Sequence, residues 1–274
     1  MPALPENISE VVTSALQEDI GSGDCTAELI KQETSIKAHL ISREDAILCG
    51  TAWFSEVFRQ LDPSVQIKWF AQDADNIEQN QQLCNLYGSA QAILTGERTA
   101  INFLQTLSGT ATVTNEYVEL IAGCKTKLLD TRKTIPGLRT AQKYAVLCGG
   151  GQNHRMGLYD AILIKENHIT ASGSIAAAVK KAKAKNVPVE VEVETLSELE
   201  EALSADCDSV LLDNFSLDNL CEAVRLNNGR IKLEASGGID KANIRSIAET
   251  GVDFISIGSL TKHVRAIDFS MRFE

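Results

Sequence analysis

The chain has 274 residues, 44% hydrophobic and 23% charged, a length and balance that suit one barrel-sized domain with a smaller partner. Its formal net charge of −11 argues against a general nucleic-acid or membrane-surface role, because phosphate backbones are held by clustered surface cations. Apolar runs too short for a bilayer, an N-terminus without a secretory pattern and seven scattered cysteines with no CxxC pair predict a cytoplasmic protein with reduced thiols.

The first hundred residues read as a separate α+β unit. Ile8, Val11, Val12, Ala15 and Leu16 recur at helical spacing and predict a helix within residues 5–19, followed by a loop at 20–24. Residues 36–42 and 65–71 are β-rich and predict strands, with a helix over 53–61 between them. SAQAILT (89–95) predicts a further strand. Thr95 is then placed to cap a helix that starts near Gly96 and carries Glu97 and Arg98 in its first turn. Ala100, Ile101, Phe103, Leu104 and Leu107 form its apolar face, and Ser108–Gly109 predicts a break before a second helical stretch at 113–121.

From Lys127 the rhythm changes. Short apolar runs recur at 127–130 (KLLD), 161–165 (AILIK), 189–194 (VEVEVE), 209–213 (SVLLD), 231–235 (IKLEA) and 253–258 (DFISIG). Helical patterns at 174–185, 197–203, 216–226 and 240–250 lie between them, several opening on a Ser or Asp that suits a cap. Such alternation predicts parallel strands joined by right-handed crossovers. Polar groups end nearly every predicted strand: Asp130, Lys165, Glu194, Asp213, Glu234 with Ser236, and Gly258. That distribution favours a closed or nearly closed barrel, whose active site lies at the strand C-termini, over an open sheet with a single switch point. Residues 261–274 are expected to fold back on the first domain.

Two features of this second half point to chemistry. EASGGI (234–239) and SIGS (256–259) put small residues in successive loops after the last two strands, where backbone amides approach an oxyanion closely; a phosphate site is expected there. Arg132, Lys133, Arg139, His154, Arg155, Lys165 and His168 then concentrate positive charge within a short stretch of an acidic chain, as an anion site requires. Glu192 and Glu194 share one strand face and, with Asp213, suit ribose hydroxyls or a metal carried by a phosphorylated substrate. Glu190, on that face near the strand start, reads as structural. Cys148 reads as an inert thiol, and His154 and His168 lack the spacing of a protein-only metal site.

DTRKTIPGLR, YAVLCGGGQNHRMGLYDAILIKENH, VEVE, LLDNF, EASGGI and FISIGSLTKHV, with GERTAINFLQTLSG earlier and SMRF at the end, resemble the signature segments of the quinolinate phosphoribosyltransferase family. The resemblance covers almost the whole chain. It implies an N-terminal α/β sandwich over residues 1–109, with the tail 263–274 packing on it, and an incomplete α/β barrel of type II phosphoribosyltransferase architecture over 110–262. It implies phosphoribosyl transfer from phosphoribosyl pyrophosphate to quinolinate with loss of CO2, a reaction of NAD biosynthesis, by at least a homodimer using Mg2+.

Carried over by motif, Thr131, Arg132, Lys133, His154, Arg155 and Lys165 would surround quinolinate and its two carboxylates, with Arg98 reaching in from a neighbouring subunit. Glu194 and Asp213 would meet the ribose end of phosphoribosyl pyrophosphate and its Mg2+, and Ser236, Gly237, Gly238 and Gly258 its 5′-phosphate. Lys133, Lys165, Glu194 and Asp213 would be the catalytic set. Lys262 and His263 receive no role. Rival readings are a nicotinate phosphoribosyltransferase, a Schiff-base aldolase acting through Lys165, and a non-catalytic sensor of phosphoribosyl pyrophosphate.

Overall fold

Alternation in Ser35–Ser42 turns Ala38 and Leu40 inward, and this segment becomes the spine of the first sheet. The structure, a computed structural model, describes residues 2–273. In chain order the first part runs α1 (Ile8–Ile20), β1 (Ser35–Ser42), β2 (Ala46–Ile47), α2 (Thr51–Leu61), β3 (Gln66–Trp69), β4 (Asn76–Ile77), β5 (Gln82–Ser89) and α3 (Ala90–Leu120). Next come β6 (Lys127–Leu129), α4 (Arg139–Cys148), β7 (Ile162–Ile164), α5 (Glu166–Ser172), α6 (Ile175–Lys183), β8 (Val189–Val193) and α7 (Leu196–Ser204). The chain ends with β9 (Ser209–Asp213), α8 (Leu217–Asn227), β10 (Lys232–Ser236), α9 (Ile244–Glu249), β11 (Phe254–Ser256), α10 (Ser259–Lys262) and β12 (Phe269–Phe273). Among the described residues no helix is long and apolar enough to cross a membrane.

Two units emerge from the packing. The first comprises the residues up to Asn115, Thr134–Gly150 and the chain from Leu260 onward; the second comprises Glu116–Lys133 and Gly151–Ser259. In the first, an antiparallel sheet of order β12-β1-β5-β3 is covered by helices. Trp53, Phe54, Val57 and Phe58 of α2 are buried, and the Phe54 ring meets Phe58 and Trp69 edge-on at 5.2 Å each. The start of α2 is capped from a distance. Asp73 accepts the amides of Gly50 and Thr51 at 3.0 Å and the Tyr144 hydroxyl at 2.8 Å, which satisfies a buried carboxylate and orphan helix donors together.

Three sequence expectations about residues 89–109 give way here. Residues 89–95 are not a strand: β5 ends at Ser89 and α3 begins at Ala90, in keeping with the helix-forming Ala, Gln and Leu of that stretch. Thr95 therefore caps nothing, and Arg98 lies well inside α3. Nor does Gly109 break the helix, which runs unbroken for 31 residues. A Cβ on Gly109 would sit 2.1 Å from the Arg265 carbonyl oxygen, and one on Gly96 would sit 2.8 Å from Leu61 and Phe58; both glycines let other segments approach α3 closely. The expected boundary at 109/110 falls inside this helix, and Thr134–Gly150, expected in the barrel, packs with the first unit because Ala141, Tyr144, Ala145 and Cys148 of α4 join its core. The chain end enters that unit as a strand, with Met271 opposite Leu40.

The second unit is a six-stranded parallel sheet of order β6-β11-β10-β9-β8-β7, an open α/β barrel. β6 and β7 do not pair with each other; instead Gln152 forms a single parallel bridge to Leu129. The helices start as their sequences direct. Ser174 accepts the Ala177 amide, Ser216 accepts the Asn219 amide, and Thr195 with Glu198 forms a capping box. Register sets the interior. Glu190 lies beside Ser209, Glu192 and Glu234 flank Leu211, and Asp213 lies beside Ser236, so polar side chains from neighbouring strands share one face in successive layers.

Candidate active site

The site is built from the strand ends of the barrel unit. Beyond β6, the Asp130 amide donates to the Gln152 carbonyl at 3.1 Å, and its buried carboxylate accepts the His154 amide at 2.9 Å. This fixes the turn that carries His154 and Arg155. The Arg155 guanidinium reaches the Ala161 carbonyl at 3.3 Å. Burial and the positive charge of Arg132 lower its pKa. Two guanidiniums close enough to repel each other in a partly buried setting form a natural anion site.

Next to them, the Thr131 hydroxyl accepts the Lys133 amide at 3.1 Å. The Lys133 side chain lies across Gly258: a Cβ there would stand 2.7 Å from Lys133 Cδ and 3.4 Å from Thr131 Oγ1. The loop after β11 thus adjoins the cationic segment after β6.

The loops after β9 and β10 interlock. Gly237 has φ +91°, and a Cβ on it would fall 2.2 Å from Asn214 Oδ1. Asn214 donates its own amide to the Ser236 carbonyl at 2.8 Å and its side-chain NH2 to Asp213 at 2.9 Å. The Gly238 carbonyl accepts the Asn243 side chain at 2.9 Å. Asn214 sits inside LLDNF but received no role from sequence; its positive φ of 56° is the kind of strain that marks such turns.

Lys165, at the end of β7, is exposed and ion-paired to Glu192. Its amide donates to His168 Nδ1 at 3.0 Å, so His168 caps α5 instead of adding a cation to the site. Glu194 is exposed at the end of β8, with its amide held by Glu198 at 2.8 Å. Arg98 is exposed on α3 in the first unit, as Lys262 and His263 are near the end of α10.

The His154 ring is held on both sides. Nδ1 accepts the Arg155 amide at 2.8 Å, and Nε2 faces Glu190 at 2.9 Å and Glu234 at 3.3 Å. Burial disfavours the charged imidazole, but the hydrogen bonds and charges of Glu190 and Glu234 outweigh it and lift its pKa to about 10. Burial pushes the Glu234 carboxyl up, as does the charge of Glu190. The signal for these acids was a Glu set among apolar neighbours in IKLEA and the two-residue period of VEVEVE.

Residues 24–108 match the family model described as quinolinate phosphoribosyl transferase, N-terminal domain, and residues 110–272 match its C-terminal domain. The chain belongs to the quinolinate phosphoribosyltransferase family. It is 44% identical over 257 residues to the probable carboxylating nicotinate-nucleotide pyrophosphorylase of Bacillus subtilis, covering 93% of this chain and 89% of that one. It is 39% identical over 291 residues to the chloroplastic carboxylating enzyme of Arabidopsis thaliana, covering 98% and 83%. The solved nicotinate-nucleotide pyrophosphorylase of Francisella tularensis superposes with a TM-score of 0.96 at 53% identity, covering 99% of this chain and 98% of that one.

Proposed function

We propose that this chain transfers the phosphoribosyl group of phosphoribosyl pyrophosphate to quinolinate and releases pyrophosphate and CO2, giving nicotinate mononucleotide for NAD synthesis. The single observation that carries this reading is the Lys133 side chain lying against Gly258, which brings the cationic segment after β6 to the last glycine turn. A doubly negative ring acid meets the guanidiniums, and a sugar phosphate meets the glycine loops at Gly237, Gly238 and Gly258, with Ser236 beside them.

The residues divide the work by charge. Arg132 and Arg155 hold the carboxylates and aim the ring nitrogen at the ribose C1, while Lys133 neutralises phosphate oxygens. Glu194 and Asp213, with hard carboxylate oxygens at neighbouring strand ends, fit Mg2+ carried by phosphoribosyl pyrophosphate; when bound, the ion neutralises the departing pyrophosphate. The same two carboxylates stabilise positive charge on the ribose as the C–O bond breaks. Lys165, steered by Glu192, supplies a further positive charge at the mouth. Attack by the ring nitrogen makes a pyridinium, which accepts the electron pair left at C2 when its carboxylate departs as CO2; a proton then replaces it. No protein nucleophile is needed, and an exposed, ion-paired Lys165 lacks the apolar setting that frees an amine for Schiff-base chemistry.

The working unit we propose is at least a homodimer, with Arg98 of each copy completing the quinolinate pocket of the other. Incubation with quinolinate, phosphoribosyl pyrophosphate and Mg2+ should yield nicotinate mononucleotide and CO2 in equal amounts. Turnover of nicotinate in place of quinolinate, with no CO2, would overturn the assignment.

A further inference from the structure

Beneath the cationic mouth, two carboxylates crowd one imidazole. The acceptor and donor atoms of His154, Glu190 and Glu234 all lie within 4.8 Å of one another, and both acids are buried. Nε2 has one hydrogen to offer two carboxylates. The acids are not equivalent. Glu190 receives the Ser209 hydroxyl on Oε1 at 3.0 Å and the imidazole on Oε2 at 2.9 Å, two donors that suit an ionised group. Glu234 stands farther from the ring, at 3.3 Å, and its buried Oε1 has no hydrogen-bond partner. An ionised carboxylate with a bare buried oxygen is costly, whereas a carboxylic acid tolerates that position.

We propose that Glu234 is a neutral carboxylic acid that shares its proton with Glu190, and that the pair acts as a positioning device locking His154 and the turn that presents Arg155 to substrate. This builds on the quinolinate reading above.

The Arg155 amide aimed at Nδ1 disfavours a proton on that nitrogen, so the proton that the two acids draw to the cluster, and that lifts the His154 pKa, is placed on the carboxylate side of Nε2. The rise in the Glu234 pKa, caused first by burial, agrees with a proton held there. The consequence concerns charge. Two ionised acids under the mouth would repel a dianionic substrate, and the shared proton removes one of those charges. Other charged groups around the cluster are Asp130 and Arg132 from the end of β6, Arg155 and Asp160 from the following loop, and Glu192 paired with Lys165. The Ser256 hydroxyl hydrogen-bonds Glu234 from β11, a contact that works against the rise of its pKa but leaves Oε1 bare.

Infrared difference spectroscopy on the full-length protein tests this. At pH about 8, a protonated-carboxyl stretch should be present and should vanish in Glu234→Gln; its absence from the unmodified protein overturns the proposal, whether or not the chain turns over quinolinate. Kinetics supply the second arm. Glu234→Gln, an amide that mimics the neutral acid, should leave the quinolinate KM within about threefold. Glu234→Asp, which shortens the reach, should raise it about tenfold with the KM for phosphoribosyl pyrophosphate nearly constant. Equal effects of the two substitutions on quinolinate KM would defeat the positioning role. If Glu234→Asp fails to fold, the infrared band and the Glu234→Gln protein still decide.

Discussion

The two units use buried polar groups in opposite ways. In the first, Asp73 accepts two backbone amides and a tyrosine hydroxyl, so its charge serves only to start α2 and tie it to α4. In the barrel unit, Arg155 is kept near Arg132 although that charge lowers its pKa, and Glu190 and Glu234 share one imidazole. At Asp73 each donor that meets the carboxylate comes from the fold itself. The second leaves attraction to be met by something that binds, which is how a fold separates architecture from chemistry.

This contrast is sharpest in paired substitutions. Arg132→Ala should lower kcat/KM for quinolinate by a factor equivalent to about 2–4 kcal/mol while urea stability changes by less than about 1 kcal/mol. Wild-type kinetics in that protein would remove Arg132 from the site. Asp73→Ala should do the reverse: a loss of about 2–3 kcal/mol in unfolding free energy, from a cap and a buried hydroxyl left unmet, with activity per folded molecule retained.

Gly237→Ala tests where the two uses meet. The positive φ alone costs about 1–2 kcal/mol, and the clash with Asn214 must also be relieved. The expected readout is a higher KM for phosphoribosyl pyrophosphate with little change in that for quinolinate. Recovery in the Gly237→Ala/Asn214→Gly double variant would identify the Asn214 contact as the cause.

The smallest effect belongs to the surface of the first unit. The Arg59 guanidinium beside Glu56 holds that carboxyl down to about 2, from an ordinary 4.5. A depressed folded pKa stabilises above the ordinary value and stops doing so as pH falls through about 2. Arg59 is largely exposed, so solvent screens the pair and its contribution is small. The stability gap between wild type and Glu56→Gln, measured by denaturant, should therefore shrink between pH about 6 and pH about 2.

What was legible in sequence follows from range. The barrel strands could be read because each is a short apolar run ending in a polar residue, and helix starts at Ser174 and Ser216 because capping is local. The cationic residues after β6 and the glycine loops were legible for the same reason. What stayed hidden depends on distant partners. Gly109 resembles a helix break until Arg265 is known to lie against it, and Asn214 looks like an ordinary turn residue until Gly237 meets it. His154 could be read as a potential cation, but nothing in NHR reveals the two acids on other strands that face its ring.

The missing pairing between β6 and β7 has a consequence of its own. A fully closed ring of strands has no edge at which another segment can enter. Here the single bridge at Gln152 admits a length of irregular backbone into the wall itself, two residues before His154. The seam works as a slot for that loop, and sealing it with a further strand would evict the very turn that carries Arg155.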